Sequence, residues 1–162
     1  MSSERSDAEG DARRFDVELF VVHPTLGPSD ISRALGLDAH VSHAVGKPRI
    51  TPKGSALRGT YPDTRWRHTL RHTVRDQRFA AQLAEFVESL KSRREALAML
   101  RASGGTTELI IQFLGDGYHG DAIGHETLSA IVELGLILGI ECFVDPQNQD
   151  PPEASASPNG CL

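Results

Sequence analysis

His40, His43, His68 and His72 are the first side chains in this sequence with chemistry to offer. His68 and His72 stand four residues apart, a spacing that puts both rings on one face of a helix or of a strand. Four imidazoles can hold zinc. Yet the pair lacks the intervening glutamate of the H-E-x-x-H protease signature, no cysteine is near, and no carboxylate triad completes a ligand set. Isolated surface histidines account for the spacing more simply, and neither a metal nor another cofactor is expected.

Arginine supplies the second cluster. Residues 47–78 contain Lys47, Arg49, Lys53, Arg58, Arg65, Arg67, Arg71, Arg75 and Arg78 against only Asp63 and Asp76. Nine cations and two acids give the segment +7 and leave −12 for the rest of a chain whose total is −5. Guanidinium groups at this density can grip phosphate, RNA or the carboxylates of a partner protein through paired N–H donors. Trp66, between Arg65 and Arg67, can stack on a base if it is exposed. Arg58, Arg65, Trp66, Arg67, Arg71 and Arg75 are therefore the candidate partner-binding residues. A sequence isoelectric point near 5.8 argues against nucleic acid, and charge complementarity favours an acidic protein partner. The plain alternative is that these arginines pair with the domain's own acids and that Trp66 anchors the core.

The third cluster is the loop Asp116-Gly117-Tyr118-His119-Gly120-Asp121, with His125 beyond it. His119 beside Asp116 or Asp121 has the makings of a general acid–base pair. The same residue types build ordinary connecting turns. No nucleophile elbow, phosphate-cradling P-loop or dinucleotide glycine fingerprint occurs anywhere in the chain, so no catalytic residue is assigned. The expected function is a non-enzymatic protein-binding module, immunity-like or regulatory, working through a basic central face. Two alternatives stand beside it: a small histidine and carboxylate metal-dependent enzyme, and a weak nucleic-acid binder.

The elements that must carry these residues follow from size and patterning. A chain of 162 residues with 39% hydrophobic and 24% charged side chains suits one globular domain with a core of its own. Two cysteines, Cys142 and Cys161, make no disulfide framework, so a reducing, cytoplasmic setting is expected. The opening MSSERSDAEGDARR has no apolar core and is not a signal peptide. No apolar run approaches the ~18 residues that span a bilayer. Polar tails at 1–14 and 146–162 should be disordered, which leaves one domain over 15–145.

Within that domain, alternation at Val17, Leu19 and Val21 predicts a strand over 16–22. Ser29 to Leu35 predicts a helix, with Ser29 as its cap and Gly36 as its left-handed stop. Trp66 and Leu70 suggest a strand over 65–74. Glycines and prolines punctuate 38–62 too heavily to fix the elements there. Apolar spacing predicts a helix from 78 to about 102 with a break near Ser92, and Gly104-Gly105 ends it. A central strand over 108–114 follows. A helix from His125 to about Leu134 should bury Leu128, Ile131 and Val132, and residues 140–144 form a last strand. The predicted fold class is α+β: a mixed or antiparallel sheet of about five strands with helices mainly on one face. Its order is ferredoxin-like, with one helix and one strand added.

Several pieces in order resemble the bacterial domain of unknown function 4279 family. They are the opening strand, PSDISRALGL (28–37), the His43 to Gly46 turn, Trp66, LKSRREALAMLRASGG (90–105), ELIIQF (108–113) and ETLSAIVELGLILGIECFVD (126–145). The resemblance covers nearly all of 15–145 and implies a cytoplasmic α+β domain with no established catalytic residues. It also implies some tie to toxin-immunity or regulatory gene neighbourhoods. The chain departs from the family pattern at Phe143-Val144, where a tyrosine is the common ending.

Overall fold

A computed structural model describes residues 13–51, 53–73, 78–114 and 120–143. The expected tails lie almost wholly outside these residues, as do Arg75, Asp116, Gly117, Tyr118 and His119. The chain forms strand β1 (Arg13–His23), helix α1 (Pro28–Leu35), β2 (Val41–His43), β3 (Pro48–Ile50), β4 (Ala56–Thr60) and β5 (Thr64–Thr73). Helix α2 (Phe79–Leu90), a single 3₁₀ turn (Lys91–Arg93), α3 (Arg94–Ala102), β6 (Thr106–Leu114), α4 (His125–Glu133) and β7 (Ile137–Phe143) complete it.

Five strands make one sheet in the order β2-β5-β1-β6-β7. All pairings are antiparallel except β6 with β7. The first four strands of that order are the split β-α-β of a ferredoxin-like sheet, and α4 with β7 is the predicted addition. β3 and β4 form a separate two-stranded hairpin.

β1 lies between β5 and β6, and its alternation decides both faces of the sheet. Phe15, Val17, Leu19 and Val21 point into the core, where Leu70, Trp66, Leu109 and Ile111 stand beside them. The helices close over that side with Ile31, Leu35, Leu83, Phe86, Leu90, Leu97, Leu100 and Ile131. Among the described residues no helix covers the other face.

Local signals explain most element ends, with two corrections. Gly36, at φ 62°, stops α1 in the left-handed region as predicted, its N–H bonding Ser32 O at 2.8 Å. Ser29, however, does not cap α1. Pro28 occupies the first turn, so the cap falls one step earlier on Gly27, which has no side chain to offer. In α4, Ile131 is buried as predicted, but Leu128 and Val132 are exposed. Ala130 and Leu134 take the inward positions instead. The stripe of α4 is apolar on two sides, and only contact with α2 and β7 decides which side goes in. The break in the long helix falls at the 3₁₀ turn that contains Ser92.

Gly105 is required for a close approach. A Cβ there would lie 2.7 Å from His23 Cδ2 and 2.8 Å from the Leu100 carbonyl oxygen. No helix among the described residues is long and apolar enough to cross a membrane.

The core role of Trp66 is directly testable. Its ring is fully buried and its indole N–H donates to Ser32 Oγ at 2.9 Å. Trp66→Phe loses that bond and leaves a void, and should cost about 1–3 kcal/mol in urea unfolding. The neighbouring Arg71→Ala, on an exposed side chain, should change stability by less than about 0.5 kcal/mol.

Candidate functional site: a basic strand and a cationic arm

β5 sorts the predicted binding residues by its pleat. Arg65, Arg67 and Arg71 alternate along it and point to the helix-free face, while Trp66 and His68 point the other way. Trp66 is therefore corrected: a ring with no exposed surface cannot stack on a partner.

The arginines are not equivalent. Arg67 Nη1 donates to Glu18 Oε1 at 2.6 Å, and its Cζ lies 4.2 Å from the centre of the Phe20 ring. Arg65 Nε donates to Asp63 Oδ1 at 3.1 Å, and Arg78 stands 3.8 Å from Asp121. Internal pairing thus takes part of the basic segment, as the plain reading had it. Arg71 is exposed and has no ion pair among the described residues.

Glu18 belongs to this site although sequence reasoning passed over it. It is 4% exposed on the open face and also accepts from Thr69 Oγ1 at 3.0 Å. Burial raises its carboxyl above the ordinary 4.5, and the Arg67 guanidinium and Thr69 hydroxyl oppose that rise. A glutamate in phase with the open face was visible in the strand alternation. Its partner, 49 residues away, was not.

The hairpin β3–β4 carries the remaining cations. Every described residue from 53 to 60 is exposed, as are Lys47, Pro48, Arg49 and Ile50. Lys47, Arg49, Lys53 and Arg58 sit on it without an ion pair among the described residues, and no acid occurs between His43 and Asp63. The arm has a defined shape. Tyr61 N–H donates to Lys47 O at 3.0 Å and Gly46 N–H to Tyr61 O at 2.9 Å. The Ile50 N–H donates to Tyr61 Oη at 3.3 Å. The Tyr61 ring stacks on His43, 4.6 Å between centres. At the tip, Gly54 adopts φ 85° and its N–H closes on Thr51 O at 2.9 Å.

The histidines divide between tasks. His40 and His68 lie 4.8 Å apart, ring centre to ring centre. The Thr69 N–H donates to His40 Nδ1 at 2.9 Å, and His68 Nδ1–H donates to the Asp38 carbonyl at 2.8 Å. With Leu70, Arg71 and His72 they line an open trough of about 550 Å³. His72 stacks on Phe15, with ring centres 4.7 Å apart. Among the described residues no group of three or more histidine, cysteine or acidic side chains converges as metal ligands would.

His23 has a structural task. It is fully buried at the end of β1, and its Nδ1 accepts from the N–H groups of Leu26 at 2.9 Å and Thr25 at 3.2 Å. Those two donors require the proton on Nε2, which donates to Ser103 Oγ at 3.0 Å. One neutral imidazole thereby ties the β1 exit to the end of α3.

Comparison with protein-family models, with curated proteins and with solved structures returns no match. The geometry therefore stands by itself: an α+β domain with one helix-free sheet face and a cationic arm.

Two predictions follow from the buried polar groups. Arg67→Met keeps contact with Phe20 but strands the Glu18 carboxylate, and should cost about 3 kcal/mol at neutral pH. Without Arg67 the folded-state pKa of Glu18 lies higher still. The deficit should then shrink as pH falls through that value and the carboxyl becomes neutral, as urea titrations at two pH values would show. Burial lowers the His23 pKa below 6.5, so its stabilising contribution is present above 6.5 and is lost as pH falls through the lowered folded value. In His23→Gln that acid-side loss of unfolding free energy should flatten relative to the parent chain.

Proposed function

We propose that the chain is a cytoplasmic, non-enzymatic binding module that takes an acidic protein partner on its cationic arm, with the exposed Arg71 farther along β5 as a second contact. The observation that carries this reading is the contrast between two groups of cations. Arg65, Arg67 and Arg78 are held by the domain's own acids. Lys47, Arg49, Lys53 and Arg58 project from an exposed hairpin that contains no acid.

A solvated, uncompensated cluster of one sign raises the local concentration of oppositely charged partners and speeds their encounter. The same hairpin exposes Ile50 and Leu57, which gives a protein surface apolar contact as well as charge. Phosphate backbones offer less use for those two side chains. Kinship with the domain of unknown function 4279 family belongs to the same proposal, and the α+β architecture is what that resemblance implies.

The test is binding of the full chain to poly-glutamate and, in parallel, to a single-stranded oligonucleotide, each at low and moderate salt. The acidic polypeptide should bind more tightly. The quadruple variant K47Q/R49Q/K53Q/R58Q should weaken that binding at least about fourfold, each exposed charge pair being worth about 0.2–1 kcal/mol. Tighter binding of the oligonucleotide, or full retention of poly-glutamate binding by the quadruple variant, would overturn the reading.

A further inference from the structure

We infer that β7 is an association edge, on which a second copy of this chain pairs antiparallel about a twofold axis at Ile140. This inference is independent of the partner proposed for the arm.

The two ends of the sheet are treated differently. At one end β2 is only three residues long, and beyond it the His40 imidazole takes the Thr69 N–H of β5. Arg71 is exposed just past that point. Short edge strands, side-chain capping and exposed charge are the usual devices that keep a sheet from growing. At the other end β7 runs seven residues, Ile137–Phe143, and pairs only with β6 among the described residues. It is not short, no side-chain cap on it occurs among the described residues, and it carries a single exposed charge. Its one charged residue, Glu141, has its carboxylate held by Gln112 Nε2 at 2.8 Å. Ile137, Ile140 and Phe143 are 55%, 61% and 54% exposed. An outer row of backbone N–H and C=O groups beside three exposed apolar side chains is a template for another strand.

The occupant is chosen by register. An antiparallel partner centred on Ile140 sets residue 137 opposite 143, 138 opposite 142, 139 opposite 141, and 140 opposite itself. Directly opposed residues share a face. On the helix-free face, Ile137 then meets Phe143 of the other copy, twice by symmetry. On the helix face Ile140 meets Ile140, and Leu138 meets Cys142. The glutamate lies opposite Gly139, the residue without a side chain, and no two like charges are directly opposed. The apolar residues of β7 thereby meet apolar residues of the other β7, as a closed twofold interface built on this strand requires. The result joins two five-stranded sheets into one continuous sheet and leaves both arms outside the interface.

Light scattering of the full chain over a dilution series should show twice the 17.6 kDa chain mass, falling to the single mass on dilution. Ile140→Lys, which opposes two ammonium groups at the axis, should give the single mass throughout with an unchanged far-ultraviolet spectrum. Phe143→Glu serves as a second disrupting variant should the first misfold. Met99→Lys alters an equally exposed apolar residue on α3 and should leave the doubled mass intact. Register is read separately: Ile140→Cys in a Cys142→Ser, Cys161→Ser background should form a covalent dimer under mild oxidation. A single mass at every concentration, loss of association in Met99→Lys, or no covalent dimer from the Ile140→Cys chain would each overturn the inference.

Discussion

Every core residue of β1 has a hydrogen-bonded strand on both sides, Val17 between Leu70 and Ile111, Leu19 between His68 and Leu109. That double pairing fixes the pleat of the strand. The pleat then sends Phe15, Val17, Leu19 and Val21 toward the helices and Asp16, Glu18, Phe20 and Val22 to the other face. A slip of one residue would exchange the two sets and bury two carboxylates among leucines. Both neighbouring strands are bound by the same constraint, so the fate of Trp66 and of the arginines around it is settled at β1.

Two of the polar residues that this arrangement buries are held by specific partners. Glu18 is held by Arg67 and Thr69, and Arg67 is held in turn by the face of Phe20. His23 is kept neutral because it is buried and its Nδ1 accepts from two backbone N–H groups, which only the uncharged ring can do. Each pattern makes a buried polar group tolerable where an unpartnered one would be costly. Four of the cations without an ion pair among the described residues, Lys47, Arg49, Lys53 and Arg58, sit on the exposed hairpin, which contains no acid.

The two edges of the sheet obey one physical rule with opposite outcomes. A strand edge must be blunted or used. Near β2 the edge is blunted by brevity, by an imidazole cap and by charge. At β7 it remains long, apolar and symmetric in its pattern. The difference is one of strand length and of residue type at a few positions.

The sequence by itself determined the periodic parts of this protein. Alternation at Val17, Leu19 and Val21 marked β1, the stripe from Phe79 to Leu90 marked α2, and Gly36 and Gly104-Gly105 marked helix ends, because each signal is local to its own element. The basic segment was equally legible as composition. Tertiary structure alone decided which arginines are spent. The acids that hold Arg67 and Arg78 lie 49 and 43 positions away in the chain, and no local pattern encodes such a pairing. It also decided that Trp66 faces inward and that Leu128 and Val132 face out. A residue's own periodicity offers two sides, and only the neighbour that covers one of them removes the choice.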